Sequence, residues 1–282
     1  MGETRRVGPR SSALVLTLLL IVSVKLAVAQ NNYEIQVYGS QTVAPKTTLV
    51  ALHSNLIADG TKSAGGPVNS ADQLYPTNDT LHETIEATQG ITSWSQVGFY
   101  VFTSAGSGQG WQWVGDHIRT QVRAPDSWQW PVGASLSIDF GYQRPGFSTD
   151  TWTLQITPVV DKQLGRLYFA VDPAFERSFH GQSVSQGVDF APSAKFSYAF
   201  NKYISGGLEY YGDYGSLHDI SSFHNQQQQF FPVIDLNLSP DWEVNIGVGF
   251  GVTASTDDWI WKAMIGRRFD WTRHPAAPGS TQ

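Results

Sequence analysis

Residues 242–252 read WEVNIGVGFGV and alternate strictly between two kinds of side chain. Ile246 and Phe250 belong to an apolar set at every second position, whereas Glu243, Asn245 and three glycines fall between them. Because successive side chains of a β-strand point to opposite faces, this pattern predicts a strand with one apolar face and one polar or small face. Such a strand would separate an apolar surrounding from a polar interior.

The same alternation recurs along most of the chain, for example around Ile138, Ile156 and Phe196. A single alternating segment is a weak signal, but a regular series of them is typical of a transmembrane barrel. The first three predicted strands alternate less clearly, so their facing stays open. We predict about twelve strands, at 46–58, 80–91, 95–105, 111–123, 132–143, 150–161, 166–175, 187–200, 204–214, 228–239, 242–254 and 257–269.

The connections between these strands fall into two sets. Those after even strands are short, such as Pro240-Asp241, whereas several after odd strands are long and polar, such as 59–79, 176–186 and 215–227. Short turns at one end and longer loops at the other are the arrangement of outer-membrane barrels. We therefore predict an all-β fold, a transmembrane up-and-down antiparallel β-barrel of about 12 strands over 46–269, with its N-terminal end in the periplasm.

The first 29 residues have the parts of a secretory signal peptide. Arg5, Arg6 and Arg10 form a positive region, an apolar run follows at 13–22, and Ala27-Val28-Ala29 is a small-residue cleavage site. We expect cleavage near Ala29 and a location in the bacterial outer membrane.

Two further segments flank the predicted barrel. Residues 30–45 are expected to form a periplasmic N-terminal segment, in which 33–38 could add a short strand, and residues 270–282 a polar C-terminal tail. After Ala29 no run approaches the roughly 18 consecutive apolar residues of a membrane helix. A membrane protein built from the mature chain must therefore be a barrel.

Composition excludes several classes of function. The net charge of −6 argues against nucleic acid, whose phosphates need clustered lysine and arginine. The chain has no cysteine, which excludes disulfides, cysteine metal sites and a thiol nucleophile. Nothing in the sequence points to a cofactor, a metal site or a catalytic residue.

Charged residues collect on the face of the strands that is predicted to point inward. A polar lumen either conducts water and solutes or is closed by paired charges, and mixed signs permit both. About twelve strands predict a narrow, gated or partly plugged pore. Acidic residues outnumber basic ones on this face, so a conducting lumen should favour cations mildly. The candidate lumen-lining residues are Glu86, Arg119, Arg123, Asp139, Asp172, Asp189, Lys195, Glu209, Asp235, Glu243, Lys262 and Arg268.

The last predicted strand ends in Gly266-Arg267-Arg268-Phe269, before thirteen further residues. It resembles the terminal strand of outer-membrane proteins, and the resemblance implies that the barrel-assembly machinery recognises Phe269. More broadly, the chain resembles uncharacterised transporter-like barrels near the phenol-degradation MetA-pathway group. The likeness rests on Trp111-Gln112-Trp113, Tyr210-Tyr211-Gly212, Phe230-Phe231-Pro232 and 236–241. It implies a barrel in outer-membrane lipid and transfers no functional residue.

The leading hypothesis is an outer-membrane channel or transport protein for small solutes. One alternative is a non-conducting structural or adhesive barrel. Another is an outer-membrane phospholipase or protease, although the sequence has no G-x-S-x-G and no H-E-x-x-H motif. Strand alternation does not separate these alternatives.

Overall fold

Twelve antiparallel strands form one closed barrel, and this confirms the predicted fold class. The computed structural model describes residues 32–63, 73–106 and 110–272. Each strand pairs with its neighbours in the chain, and the first strand pairs with the last. The strands are β1 (Thr47–Asp59), β2 (Thr80–Thr92), β3 (Ser95–Gly106), β4 (Gly110–Arg123), β5 (Gly133–Gln143), β6 (Asp150–Leu164), β7 (Leu167–Gly181), β8 (Val188–Ala199), β9 (Ile204–Asp213), β10 (Gln227–Leu236), β11 (Trp242–Gly251) and β12 (Trp259–Asp270).

Burial alternates along the strands as the sequence pattern predicts. In β12, Ile260 and Lys262 are buried inside the barrel, whereas Trp261 and Ile265 are exposed on its outer face. The facing of β1, left open by the sequence, is now clear, since His53 is buried and Leu52 is exposed. The outer surface is therefore a broad apolar band. Among the described residues, no helix is long and apolar enough to cross a membrane.

The barrel has a short-turn end and a long-loop end. The short-turn end carries the connections that follow the even strands, such as 165–166 between β6 and β7. The long-loop end carries those that follow the odd strands, such as 214–226 between β9 and β10. The prediction that residues 176–186 form a loop is wrong in part, because β7 continues to Gly181. Its alternation persists there, with Ser178 buried and Phe179 exposed.

The chain before β1 lies inside the barrel. Residues 32–46, here called the lumen segment, have no regular secondary structure and make hydrogen bonds with inward-facing side chains of seven strands. We had expected residues 30–45 to precede the barrel on its periplasmic side, and the described part instead fills much of the lumen. The predicted cleavage site at Ala29 and most of the C-terminal tail lie outside the described residues.

Candidate functional site in the barrel lumen

The lumen segment begins at the long-loop end. The Asn32 amide donates a 2.8 Å hydrogen bond to Asp257, which lies in the connection before β12. Asn55 of β1 donates to the carbonyl of Asn32 at 2.9 Å, and Thr84 of β2 donates to that of Tyr33 at 2.7 Å. These side chains supply partners for a backbone that has no neighbouring strand.

Near the short-turn end the segment crosses the lumen. The Tyr38 amide donates to Asp172 at 2.7 Å, and Ser40 donates to Asp161 through its amide at 2.9 Å and its hydroxyl at 2.8 Å. The segment then returns to the opposite wall, where the amide of Val43 donates to Gln96 at 2.6 Å. Residues 38–43 therefore run from β6 and β7 to β3 and narrow the lumen at this level.

An apolar patch on the inner wall explains why the segment docks. Ile35 and Val37 pack into a buried cluster with Ile57, Ala170, Tyr211, Phe231, Val233 and Ile260. Burying a side chain of the size of valine or isoleucine contributes roughly 1.5–3 kcal/mol. The glycines of β11 make room for this cluster, because a Cβ at Gly249 would lie 2.2 Å from the ring of Phe231.

One charged cluster joins the lumen segment to β4 and β5. Arg119 forms an ion pair with Glu34 of the segment at 2.5 Å and a second with Asp139. Its guanidinium also lies over the ring of Tyr38, 4.3 Å from the centroid. If the segment moved away, Glu34 would no longer balance the charge of Arg119, and an uncompensated buried charge is costly. This cluster therefore holds the segment against β4 and β5.

A second charged cluster lies on β8 to β12. Lys195 is 3.0 Å from Glu209 and 2.8 Å from Asp235, and Lys262 also pairs with Glu209. Lys262 donates in addition to the carbonyl of Ile35 at 3.0 Å. This cluster therefore closes one side of the lumen with paired charges and holds the segment against it.

The remaining predicted lumen residues lie on the inner face. Glu86 bonds with His53 at 3.0 Å, and Arg268 pairs with Glu243 at 2.5 Å near the short-turn end. Arg123 pairs with Asp126 of the adjoining turn, so it belongs to the rim of the lumen. Asp172 and Asp189 line an internal cavity. The predicted residues thus belong to several separate groups along the inner face, with Arg123 at its rim.

The cavity lies beside the lumen segment and has a volume of about 230 Å³. Glu34, Gln36 and Tyr38 of the segment form one side of it, and residues of β2 to β9 form the other. At the long-loop end the cavity reaches Tyr75 and Phe147, whose ring centroids are 4.9 Å apart. The space that the segment leaves therefore lies along β2 to β9.

Sequence reasoning missed several residues of this site. His82 packs against Tyr33, with ring centroids 4.3 Å apart, and His117 lies 3.4 Å from Glu34. Alternation places His117 on the inner face and leaves the facing of His82 open, and it gives no reason to expect a partner from the chain before β1. Among the described residues, no group of three or more His, Asp or Glu side chains is placed to hold a metal ion.

A closed barrel with an apolar outer band and a polar, partly filled lumen defines the fold of bacterial outer-membrane β-barrels. Solved structures with this fold include an outer membrane channel from Pseudomonas putida F1, with a TM-score of 0.54 and 11% identity over 84% of this chain and 100% of that chain. They also include the NanC porin, with a TM-score of 0.50 and 8% identity over 77% of this chain and 97% of that chain. At these identities the likeness establishes the fold alone. No protein-family model matches the sequence, and no curated protein does.

Proposed function

We propose that this protein is a narrow outer-membrane channel for small solutes, and that its lumen segment restricts the passage. The observation that carries the proposal is the cavity of about 230 Å³ that runs beside the segment among polar side chains. A barrel that served only as a scaffold would not need a polar cavity between its wall and the segment. The two solved barrels are named as a channel and a porin, which supports transport over hydrolysis.

The proposal includes the route to the membrane. We propose that residues 1–29 direct export and are removed near Ala29, that the outer band contacts outer-membrane lipid, and that the assembly machinery recognises the last strand at Phe269. Grouping with the transporter-like barrels near the phenol-degradation MetA-pathway proteins is part of the same proposal. It rests on sequence likeness at sites such as Trp111-Gln112-Trp113.

A non-conducting barrel is the second candidate, and one observation favours it. Residues 38–43 join β3 to β6 and β7 through Gln96, Asp161 and Asp172. If this crossing never rearranges, the cavity ends there and solutes do not pass. The two candidate functions therefore have the same fold and differ only in whether the lumen segment moves to open a path for solutes.

The experiment is conductance of the purified protein in planar bilayers. We expect small ohmic steps and, in a salt gradient, a reversal potential that favours cations, because acidic side chains predominate in the cavity. The preference should weaken at high salt, as screening shortens the range of unpaired charges. Silence of both the intact protein and a variant without the lumen segment would refute the channel and leave the non-conducting barrel.

A further inference from the structure

The charges around the cavity are strongly unbalanced. Its lining carries seven acidic side chains and one basic side chain, Arg119. Arg119 already pairs with Glu34 and Asp139. Asp150 accepts 2.8 Å hydrogen bonds from the hydroxyls of Ser178 and Ser183. Four further carboxylates lie on β7, β8 and β9: Asp172, Glu176, Asp189 and Asp213. Of these, Asp172 accepts one backbone hydrogen bond from Tyr38 at 2.7 Å, and Asp213 accepts one from Gly215 at 2.8 Å.

None of these four carboxylates has an ion-pair partner within 4 Å in the part of the chain that the structure describes. Ion pairs among the described residues involve none of the four. Glu176 and Asp189 stand directly opposite each other in the β7–β8 ladder. Like charges in this position are destabilising. A cation between the two carboxylates would remove the repulsion.

Oxygen atoms at the cavity wall give an independent indication. Asp172 is only 3% exposed, and its Oδ1 accepts no hydrogen bond from the described residues. The same holds for Oδ1 of Asn32, which is 5% exposed, and for Oε1 of Gln36. All three residues line the cavity. Buried acceptors without partners are rare in proteins, and each of these would be satisfied by a ligand that donates hydrogen bonds.

Part of the wall is apolar and aromatic. Tyr75 and Phe147 pack together at the long-loop end, and the small side chains of Ala174 and Ala191 lie on the β7–β8 wall. The faces of aromatic rings attract cations, most strongly where water is excluded. The wall therefore combines carboxylates with surfaces that suit an apolar body.

We propose that this cavity binds a small organic cation. Its ammonium group would donate to Glu176 and Asp189, and its apolar or aromatic body would pack against Tyr75 and Phe147. The cavity volume of about 230 Å³ suits a small molecule. The inference rests on the proposed function, because it names the solute class of that channel.

The test is calorimetric titration of the purified full chain in detergent micelles with benzylamine. Benzyl alcohol and benzoate serve as neutral and anionic probes of similar shape. We expect benzylamine to bind at least tenfold more tightly than either. The double variant Glu176→Gln and Asp189→Asn should weaken benzylamine binding at least tenfold. The control Glu243→Gln neutralises a lumen carboxylate outside the cavity lining and should leave the binding unchanged.

Heat-modifiable mobility in SDS gels identifies folded variants, and if the double variant does not fold, the single variant Asp189→Asn is titrated in its place. Equal binding of the three probes, no binding of benzylamine, or a folded variant with unchanged affinity would overturn the proposal. Binding tests the proposed cation site and conductance tests the proposed channel, so either proposal can fail while the other holds. Benzylamine binding by a barrel that stays silent both with and without its lumen segment supports the site and refutes transport, whereas conductance without benzylamine preference does the reverse.

Discussion

Deletion of residues 32–43 should raise the single-channel conductance several-fold. This deletion keeps the proposed cleavage site and removes the part of the lumen segment that contacts β4 to β7. The strands keep all their ladder partners, since the segment pairs with none of them as a strand. The barrel should therefore still close, and the space that the segment occupied should become part of the pore. Planar-bilayer recordings of the two purified proteins measure the change.

A variant with two substitutions tests the same idea if the deletion prevents the barrel from folding. Substituting Ile35→Ser together with Val37→Ser removes the two apolar anchors of the segment from their buried cluster and leaves its chain length unchanged. Each anchor contributes roughly 1.5–3 kcal/mol of docking through burial. We expect this variant to open more often than the intact protein. If both altered proteins fold and conduct like the intact one, the segment does not restrict the pore.

Arginine at two alanines of β8 should reduce the stability of the barrel by very different amounts. Ala194 pairs with exposed Val171 on the outer face, whereas Ala191 lines the cavity. Ala194→Arg should cost roughly 2–4 kcal/mol of folding free energy, which is the range for arginine facing lipid near mid-membrane. Ala191→Arg should cost little, because it places a positive charge beside Asp189. Urea titrations of the proteins folded into lipid vesicles measure both.

The pair is matched in residue type, strand and substituted side chain, so only the facing differs. The unsubstituted protein supplies the reference midpoint. Similar losses of stability at the two positions would mean that the barrel does not have one face in lipid and one in a polar lumen.

Alternation predicted the strands well because each strand separates lipid from the lumen. Most bounds agree to within one or two residues, as for β4 and β11 at their starts. The largest error is at the end of β7, which extends to Gly181 rather than 175. β6 extends three residues further than predicted, to Leu164, and β10 and β11 each end three residues earlier. Those extensions lie beside turn-forming residues, and glycine and polar residues there suggested loops. A strand that continues past the membrane surface can carry polar residues, so polar residues alone do not mark the start of a loop.

The lumen segment shows what a period-two pattern does not specify. Residues 33–38 do alternate, and Ile35 and Val37 do share one face, as in a short strand. Their apolar face meets a patch on the inner wall, however, and no strand pairs with them. Alternation reports an extended chain between an apolar and a polar surface, and it does not say whether the apolar surface is lipid or protein.

The same reason explains the large apolar residues inside the barrel. Phe231 and Ile260 lie on the inner face, where the sequence pattern predicts polar side chains. They are buried because the lumen segment covers them. In the sequence, these two apolar residues interrupt a face of otherwise polar side chains. Their contact with Ile35 and Val37 in the structure explains why they are apolar. The charged residues were easier to place, because a charge facing lipid is costly wherever it occurs.

Thiol accessibility tests the central claim, which is that the lumen segment covers one side of the lumen and leaves a cavity on the other. The chain has no cysteine, so single substitutions report without background. Ala191→Cys lies in the cavity, and Ala170→Cys replaces a side chain that is 1% exposed beneath Ile35 and Val37. With a cationic methanethiosulfonate reagent, we predict that Ala191→Cys reacts at least tenfold faster, and that deletion of residues 32–43 brings Ala170→Cys to a similar rate. Equal rates at the two positions in the intact protein, unchanged by the deletion, would contradict the account.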